Sequence, residues 1–269
     1  MAQHDVLTGL PNRALFSDRT QQALAIAHRE KMRPALLFLD LDGFKLVNDT
    51  FGHAIGDLLL KEVANRVLRC VRQSDTVGRI GGDEFVILLM GMETERSALA
   101  VAEKIRGEIR SPYGIEGLRL SISSSIGISI YPDHGTTEIE LARRADEAMY
   151  EAKRNRSTQV VAFDCRIHVR TTRQFQIEAS LPDAIANGEI EVYFQPIMDT
   201  VRDCIAGFEA LARWQHPELG SIPPPEFIRV ATESGHIGAL TQCVLRKACT
   251  AFLPHLSSPA QPYLAVNVS

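Results

Sequence analysis

No apolar run in this 269-residue sequence approaches the ~20 residues a helix needs to cross a bilayer, so no membrane segment is expected in it. Residues 1–13 contain Asp5, Pro11 and Arg13 and lack the apolar core of a secretory signal. Cysteine is sparse. The five present (Cys70, Cys165, Cys204, Cys243, Cys249) form no CxxC pair and no metal-ligand spacing with histidine. Reduced thiols in a cytoplasmic protein are the expectation. Neither charge sign dominates: the net charge of −4 excludes bulk attraction to nucleic acid or an anionic membrane. Any anionic ligand must therefore be held by local chemistry. Internal repeats and low-complexity tracts are also missing, which excludes a solenoid. What remains is 45% hydrophobic and 23% charged, ordinary for a chain that buries a core, and long enough for two domains.

Residues 34–39 form an apolar run ending at Asp40, which predicts a buried strand with a polar tip. Asp57 then stands where a helix N-cap would, ahead of Leu58, Leu59, Ala64, Val67, Leu68 and Val71 at helical spacing. Short strands at 76–80 and 85–90 flank Gly81-Gly82, a hairpin signal. A helix fits residues 95–110, and the alternation across 118–130 predicts one half-buried strand. Thr137 and Glu140 have capping-box spacing and open a helix through Leu141, Ala145, Ala148 and Ala152. A last strand falls at 160–163. The order is helix, strand, helix, hairpin, helix, strand, helix, strand, an α+β domain with helices packed on one sheet.

The polar, basic stretch at 164–173 reads as a boundary. Beyond it come a helix over 174–186, started or broken by Pro182, and strands at 190–194 and 204–211. Helices at 225–233 and 239–253 and a strand at 263–268 follow. Strands alternating with helices predict the opening of a parallel α/β fold.

Asp40 and Asp42 end a buried strand; Asp83 and Glu84 follow the glycine pair at a hairpin tip. If the two strands are neighbours, four carboxylates meet at one sheet edge, and each raises its neighbours' pKa unless a cation intervenes. All-oxygen donors with room for phosphate suit Mg²⁺. Gly81 and Gly82 let the backbone turn tightly and approach a ligand. Taken singly, the DLD and GGDE segments also read as solvated turns. Lys45, Asn48 and Asp57 add a cation, an amide and a carboxylate, and the last two types can together read a guanine edge. Asp57 keeps both readings, base reader and helix cap.

Four segments carry a family resemblance: DVLTGLPNR (5–13), LDLDGFKLVNDTFGHAIGD (39–57), GRIGGDEF (78–85) and ADEAMYEAK (145–153). Their order and content resemble the GGDEF diguanylate cyclases over residues 4–164. The resemblance implies a palm-like nucleotide-cyclase sheet with flanking helices that makes cyclic di-GMP from two GTP. It implies Mg²⁺ (or Mn²⁺) on Asp40, the Leu41 carbonyl, Asp83 and Glu84, with Glu84 also able to activate the attacking hydroxyl. Guanine would be bound by Asn48 and Asp57, phosphates by Lys45 and Lys153, and the substrate would run along Phe44, Gly81 and Gly82. Catalysis is assigned to Asp83, Glu84 and Lys45. Each protomer would hold one GTP, so a homodimer is expected to be the active form. Arg72 and Asp75 match the R-x-x-D pair of an inhibitory site for the product, with Arg106 or Lys104 as a further cation. The alternative for this pair is an ordinary helix-end arginine and a turn aspartate. Ser157 stands where the family has an arginine, with Arg154 or Arg156 as substitutes. Only three residues precede His4, so this sequence is expected to be a fragment of a longer one.

VYFQPI (192–197), GFEALARW (207–214) and VNVS (266–269) resemble the first motifs of EAL phosphodiesterases, which hydrolyse cyclic di-GMP on a (β/α) barrel. The resemblance covers 174–269 and implies an incomplete barrel segment. Glu209 and Asn267 would ligate metal, and Gln195 and Arg213 would contact substrate. The family's remaining catalytic groups would follow Ser269, so hydrolysis by this chain is not expected. The alternative to a cyclase is a GTP- or cyclic di-GMP-sensing domain that regulates an attached EAL domain, or a parent protein whose net output is hydrolysis.

Overall fold

A computed structural model describes residues 3–154, 158–255 and 262–267, with only the backbone described at 170 and 171. The chain divides into two units, Met1–Val169 and Arg170–Ser269.

In chain order the first unit contains α1 (Arg13–Glu30), β1 (Ala35–Asp42), α2 (Phe44–Phe51), α3 (His53–Cys70), β2 (Thr76–Gly81), β3 (Glu84–Leu89) and α4 (Glu95–Arg110). The hairpin β4 (Tyr113–Ile115) and β5 (Leu118–Leu120), then β6 (Ser123–Ile130), α5 (Glu138–Arg154) and β7 (Val160–Ala162) complete it. The sheet order is β2-β3-β1-β6-β7, antiparallel except for β6 with β7.

β1 is central because its sequence, ALLFLDLD, is apolar at consecutive positions, as a strand covered on both faces requires. Leu37 and Leu39 pack with Leu59, Val63, Ala102 and Ile105 from α3 and α4. Leu36 packs on the opposite side with Phe16, Leu24 and Ala145 from α1 and α5. α5 rests directly on β6: a β-carbon on Gly127 would lie 2.0 Å from the Ala145 carbonyl oxygen and 2.1 Å from the Met149 nitrogen. The Ser129 hydroxyl completes that contact by donating to the Leu141 carbonyl, 2.8 Å away. The start of α5 is fixed as the sequence predicts, with Glu140 N–H donating to Thr137 Oγ1 (3.2 Å) and Thr137 N–H to Glu140 Oε2 (3.2 Å).

The segment 118–130 departs from the single half-buried strand expected of it. It divides into β5, paired with β4, and β6, which is covered on both faces. The non-aliphatic positions of β6 are serine and glycine, small enough for α5 to cover, so the alternation there marks close helix packing rather than a wet face.

The second unit's helix α6 (Cys165–Asn187) begins before the unit boundary, so the polar stretch 164–173 is largely helical rather than an irregular connection. Pro182 neither starts nor breaks α6; it lies inside, at the cost of one backbone hydrogen bond. There follow β8 (Ile190–Asp199), β9 (Cys204–His216), β10 (Gly220–Ile222), α7 (Pro224–Glu233), α8 (Ile237–Phe252), a short 3₁₀ turn and β11 (Tyr263–Val266). β8 and β9 form an antiparallel hairpin, contrary to the parallel pattern expected; only β11 runs parallel to β9. A four-residue connection between the strands cannot carry a crossover, which needs a dozen or more residues. No closed barrel forms among the described residues; the sheet has four strands. One face of it packs on the helices through Ile190 and Trp214, the latter meeting Phe227 edge-on at 5.9 Å. No helix among the described residues is long and apolar enough to cross a membrane.

Candidate functional site

Asp40, Asp83 and Glu84 come together where β1 ends and β3 begins. Asp40 and Glu84 are cross-strand partners, and the Leu41 N–H donates to the Asp83 carbonyl at 3.3 Å, carrying the ladder into the turn. Gly82, at φ 48°, makes that turn in a region other residues enter at a cost. Arg79 anchors it: Nε and Nη2 donate to the Gly82 carbonyl (3.0 and 2.7 Å), and Nη1 to Asp5 Oδ1 (2.9 Å) and Oδ2 (3.0 Å). Burial opposes ionisation of Asp5, but hydrogen bonds from Thr8 and Arg79 outweigh it and hold the carboxyl below its ordinary pKa. Arg79 was missed in the sequence, although it lies between two recognised features, the segment containing Asp5 and the glycine pair.

Burial pushes the Asp40 carboxyl above its ordinary pKa, and the charges of Asp83 and Asp42 add to the effect, against the opposing pull of Lys153. Glu84 is raised as well, by burial first and then by Asp40, Asp146 and Asp83. Asp146, a residue of α5 absent from the sequence-based site, is raised by burial, by Glu147 and by Asp40. Lys153 Nζ lies 2.7 Å from Asp40 Oδ1. Burial works against that ammonium, but its hydrogen bond to Asp40 and the charges of Asp40, Asp42 and Asp83 keep its pKa above normal. Asp42 has a different task. Its oxygens accept from Ser123 Oγ and Ser125 Oγ, both at 2.8 Å, which ties the end of β1 to β6.

α2 and α3 carry the candidate base readers. Asp57 lies one turn inside α3, whose N-cap is Gly52, so its reading as a helix cap is excluded. Asp57 and Lys45 are exposed. The Asn48 amide oxygen is buried with no hydrogen-bond partner. It occupies the space over Gly56, where a β-carbon would stand 1.9 Å from it. Phe44 belongs to the core rather than to an open surface, its ring also against Gly56.

Of the R-x-x-D pair, both Asp75 oxygens accept backbone N–H groups, Oδ2 from Arg72 and Oδ1 from Met90, at 2.8 and 2.9 Å. The turn reading of Asp75 is thus realised in full; the Arg72 residue is exposed. Arg106 pairs with Glu103 and Gln159, and Lys104 donates to the Cys70 carbonyl. Ser157 and Arg156 lie outside the described residues; Arg154 is held near Glu151 and Tyr150.

In the second unit, Gln195 and Glu209 are direct cross-strand partners, and Asn267 Nδ2 donates to Glu209 Oε1 at 2.7 Å. Arg213 lies two pairs along the same face, its guanidinium 5.8 Å from the Tyr193 ring and bonded to the Ala212 carbonyl. Period-two spacing therefore gathers all four on the face opposite Trp214.

A family profile described as "Diguanylate cyclase, GGDEF domain" matches residues 2–159. The chain belongs to the GGDEF family. Residues 178–269 of this GGDEF protein match the EAL domain profile. Among curated relatives, the bifunctional diguanylate cyclase/cyclic di-GMP phosphodiesterase MucR of Pseudomonas aeruginosa is 43% identical over 93% of this chain and 36% of its own length. The cyclic di-GMP phosphodiesterase PdeR of Escherichia coli is 36% identical over 100% of this chain and 40% of its own. The chain thus spans roughly a third to two fifths of these relatives. Among solved structures, the GGDEF domain of TpbB (YfiN) from P. aeruginosa superposes with a TM-score of 0.59 at 41% identity, covering 61% of this chain and 96% of that one. The GGDEF domain of DgcB from Caulobacter crescentus, in complex with c-di-GMP, gives 0.55 at 31% identity over 60% and 96%.

A divalent cation fits the donors of this GGDEF unit. Among the described residues no three His, Cys, Asp or Glu side chains form a ready-made metal cage. Mg²⁺, however, is usually held by one or two carboxylates together with substrate phosphates. Asp40 and Glu84 supply two hard oxygen donors whose raised pKa values reflect burial and a surplus of negative charge.

Proposed function

We propose that the first unit binds GTP with Mg²⁺, for which Mn²⁺ can substitute, and as a homodimer condenses two GTP into cyclic di-GMP in the cytoplasm of a bacterial cell. The observation that carries this reading is the cross-strand pairing of Asp40 with Glu84 beside the Gly82 turn. Asp40, the Leu41 carbonyl, Asp83 and Glu84 would hold the metal, which would neutralise phosphate charge and polarise the α-phosphate. Asn48 offers a buried acceptor with no partner in the protein, suited to a guanine N–H, and Asp57 offers an exposed carboxylate beside it on α3. Lys45 and Lys153 bind phosphate oxygens, while Gly81 and Gly82, lacking side chains, admit the ribose. In each half-reaction a 3′-oxygen bonds to the α-phosphorus of the facing GTP and the bond to the bridging oxygen breaks. Pyrophosphate leaves, and the hydroxyl proton passes to Glu84 or water. Two such steps across a two-fold axis close the ring, so a monomer makes no product. Arg72 would grip the product at a separate inhibitory site.

The chain is incubated with GTP and Mg²⁺ at concentrations that favour dimers, and the mixture is resolved by chromatography. Cyclic di-GMP that disappears in Asp83→Ala supports the reading. A folded, GTP-binding dimer that forms none refutes it.

A second reading rests on the Gln195, Glu209, Arg213 and Asn267 face. In it, a longer chain containing this one hydrolyses cyclic di-GMP at that face, and the first unit regulates it by binding nucleotide. Relatives named as phosphodiesterases, PdeR among them, support it.

A further inference from the structure

A lysine that serves nucleotide phosphate should present its ammonium to the substrate. Lys153 instead presents it to Asp40, Nζ to Oδ1 at 2.7 Å. The Asp40 side chain is 10% exposed and that of Lys153 48%, so the lysine reaches in from the surface to a fixed carboxylate. The asymmetry has a physical cause. An ionised carboxylate that deep is costly without a counter-charge, and a flexible four-carbon stem supplies one that can leave. Asp42 accepts from Ser123 and Ser125, and among the described residues Lys153 makes its hydrogen-bonded ion pair with Asp40, while Asp42 and Asp83 act on it only through their charge. A divalent cation arriving at Asp40 meets this ammonium in its place.

Resting on the reading of Asp40 as a metal ligand, we infer that Lys153 is an internal counter-ion that competes with the divalent cation for Asp40 and passes to nucleotide phosphate when the cation binds. Lys153 is then a positioning residue as well as a phosphate ligand. Charge is conserved through the exchange: Asp40 keeps a cation, and the ammonium keeps an anion. Metal alone binds weakly because the displaced ammonium has no new partner. Metal with a triphosphate binds cooperatively because both cations are then matched.

Mn²⁺ binding to the full chain, without nucleotide, is followed by the loss of the free-ion electron paramagnetic resonance signal. Lys153→Met and Lys153→Gln should bind Mn²⁺ about tenfold tighter than the wild type, with Lys153→Arg close to wild type, since each tenfold step corresponds to the loss of one modest competing ion pair. Adding Asp40→Asn should abolish the gain. Circular dichroism identifies the variants that fold, and either neutral variant suffices. Equal or weaker Mn²⁺ binding by a folded neutral variant, with the site still lost in Asp40→Asn, overturns the counter-ion role and leaves the metal reading standing. Mn²⁺ binding indifferent to Asp40→Asn in every background overturns both.

Discussion

The two units place their polar residues in opposite ways. In the first, helices cover both faces of the sheet, so β1 is buried along nearly its whole length and polar groups emerge only at the strand ends. In the second, helices cover one face, and β8 alternates between covered and exposed positions. Gln195 follows that alternation, and the half-buried Glu209 and Arg213 of β9 lie on the same, other face. A site at strand ends depends on the register between strands and on turn geometry. A site on an open face depends only on period two. The first is therefore tied to the core beneath it, and the second is not.

The sharpest way to break this contrast is to disturb the core without touching the site. Gly127→Val places a branched side chain against the α5 backbone, which cannot retreat as a flexible side chain would. Thermal melts should show a loss of about 3 kcal/mol or more, with nucleotide binding lost alongside it. By contrast, Glu209→Ala on the open face should move stability by only about 0.5 kcal/mol. Equal losses from the two would remove the distinction drawn between the units.

Next in size is Arg79→Ala, which releases the Gly82 carbonyl and unpairs Asp5. Hydrogen bonds to charged groups contribute about 1.5–3 kcal/mol each, and partial exposure puts the expected loss near the lower end. Hydrogen exchange should quicken at residues 81–84 before it does in the middle of β1. A smaller effect is expected of Gly56→Ala. Its methyl group displaces the Asn48 amide, the movable end of a side chain, so the fold survives. GTP affinity should fall about tenfold, the equivalent of roughly one hydrogen bond, as read by calorimetry.

The smallest effect follows from Glu84. A carboxyl whose pKa is raised in the fold keeps its proton better folded than unfolded. Its contribution favours the fold at low pH and is lost as the pH rises from the ordinary value of 4.5 through the raised one. Glu84→Gln removes that loss. The variant should match the wild type in acid and become the more stable of the two above that window, and Mg²⁺ should narrow the gap by relieving the same charge. A gap that shrinks with rising pH in the absence of metal would contradict this account.

Much of the fold was legible because its signals are local. The capping box at Thr137 and Glu140, the glycine hairpin and the bounds of α4 each depend on residues within a few positions of one another, and the structure shows all three. The segment 118–130 was misread because alternation reports residue size as well as wetness. Asp57 lost its cap reading because α2 and Gly52 bring the start of α3 forward, a boundary that no strong apolar period marks.

By itself, the sequence determined the family, the order of the longer elements and the identity of the chemical groups, but not α2, the β4–β5 hairpin or β10, since motifs and short-range periodicity are properties of neighbours along the chain. The tertiary structure alone decided which carboxylate faces which. It set Asp40 opposite Glu84, gave Asp42 to two serines, seated Lys153 on Asp40 and turned β8 antiparallel to β9. Those pairings follow from which faces the helices cover and which backbones a glycine allows to approach, and both are settled between residues far apart in the chain.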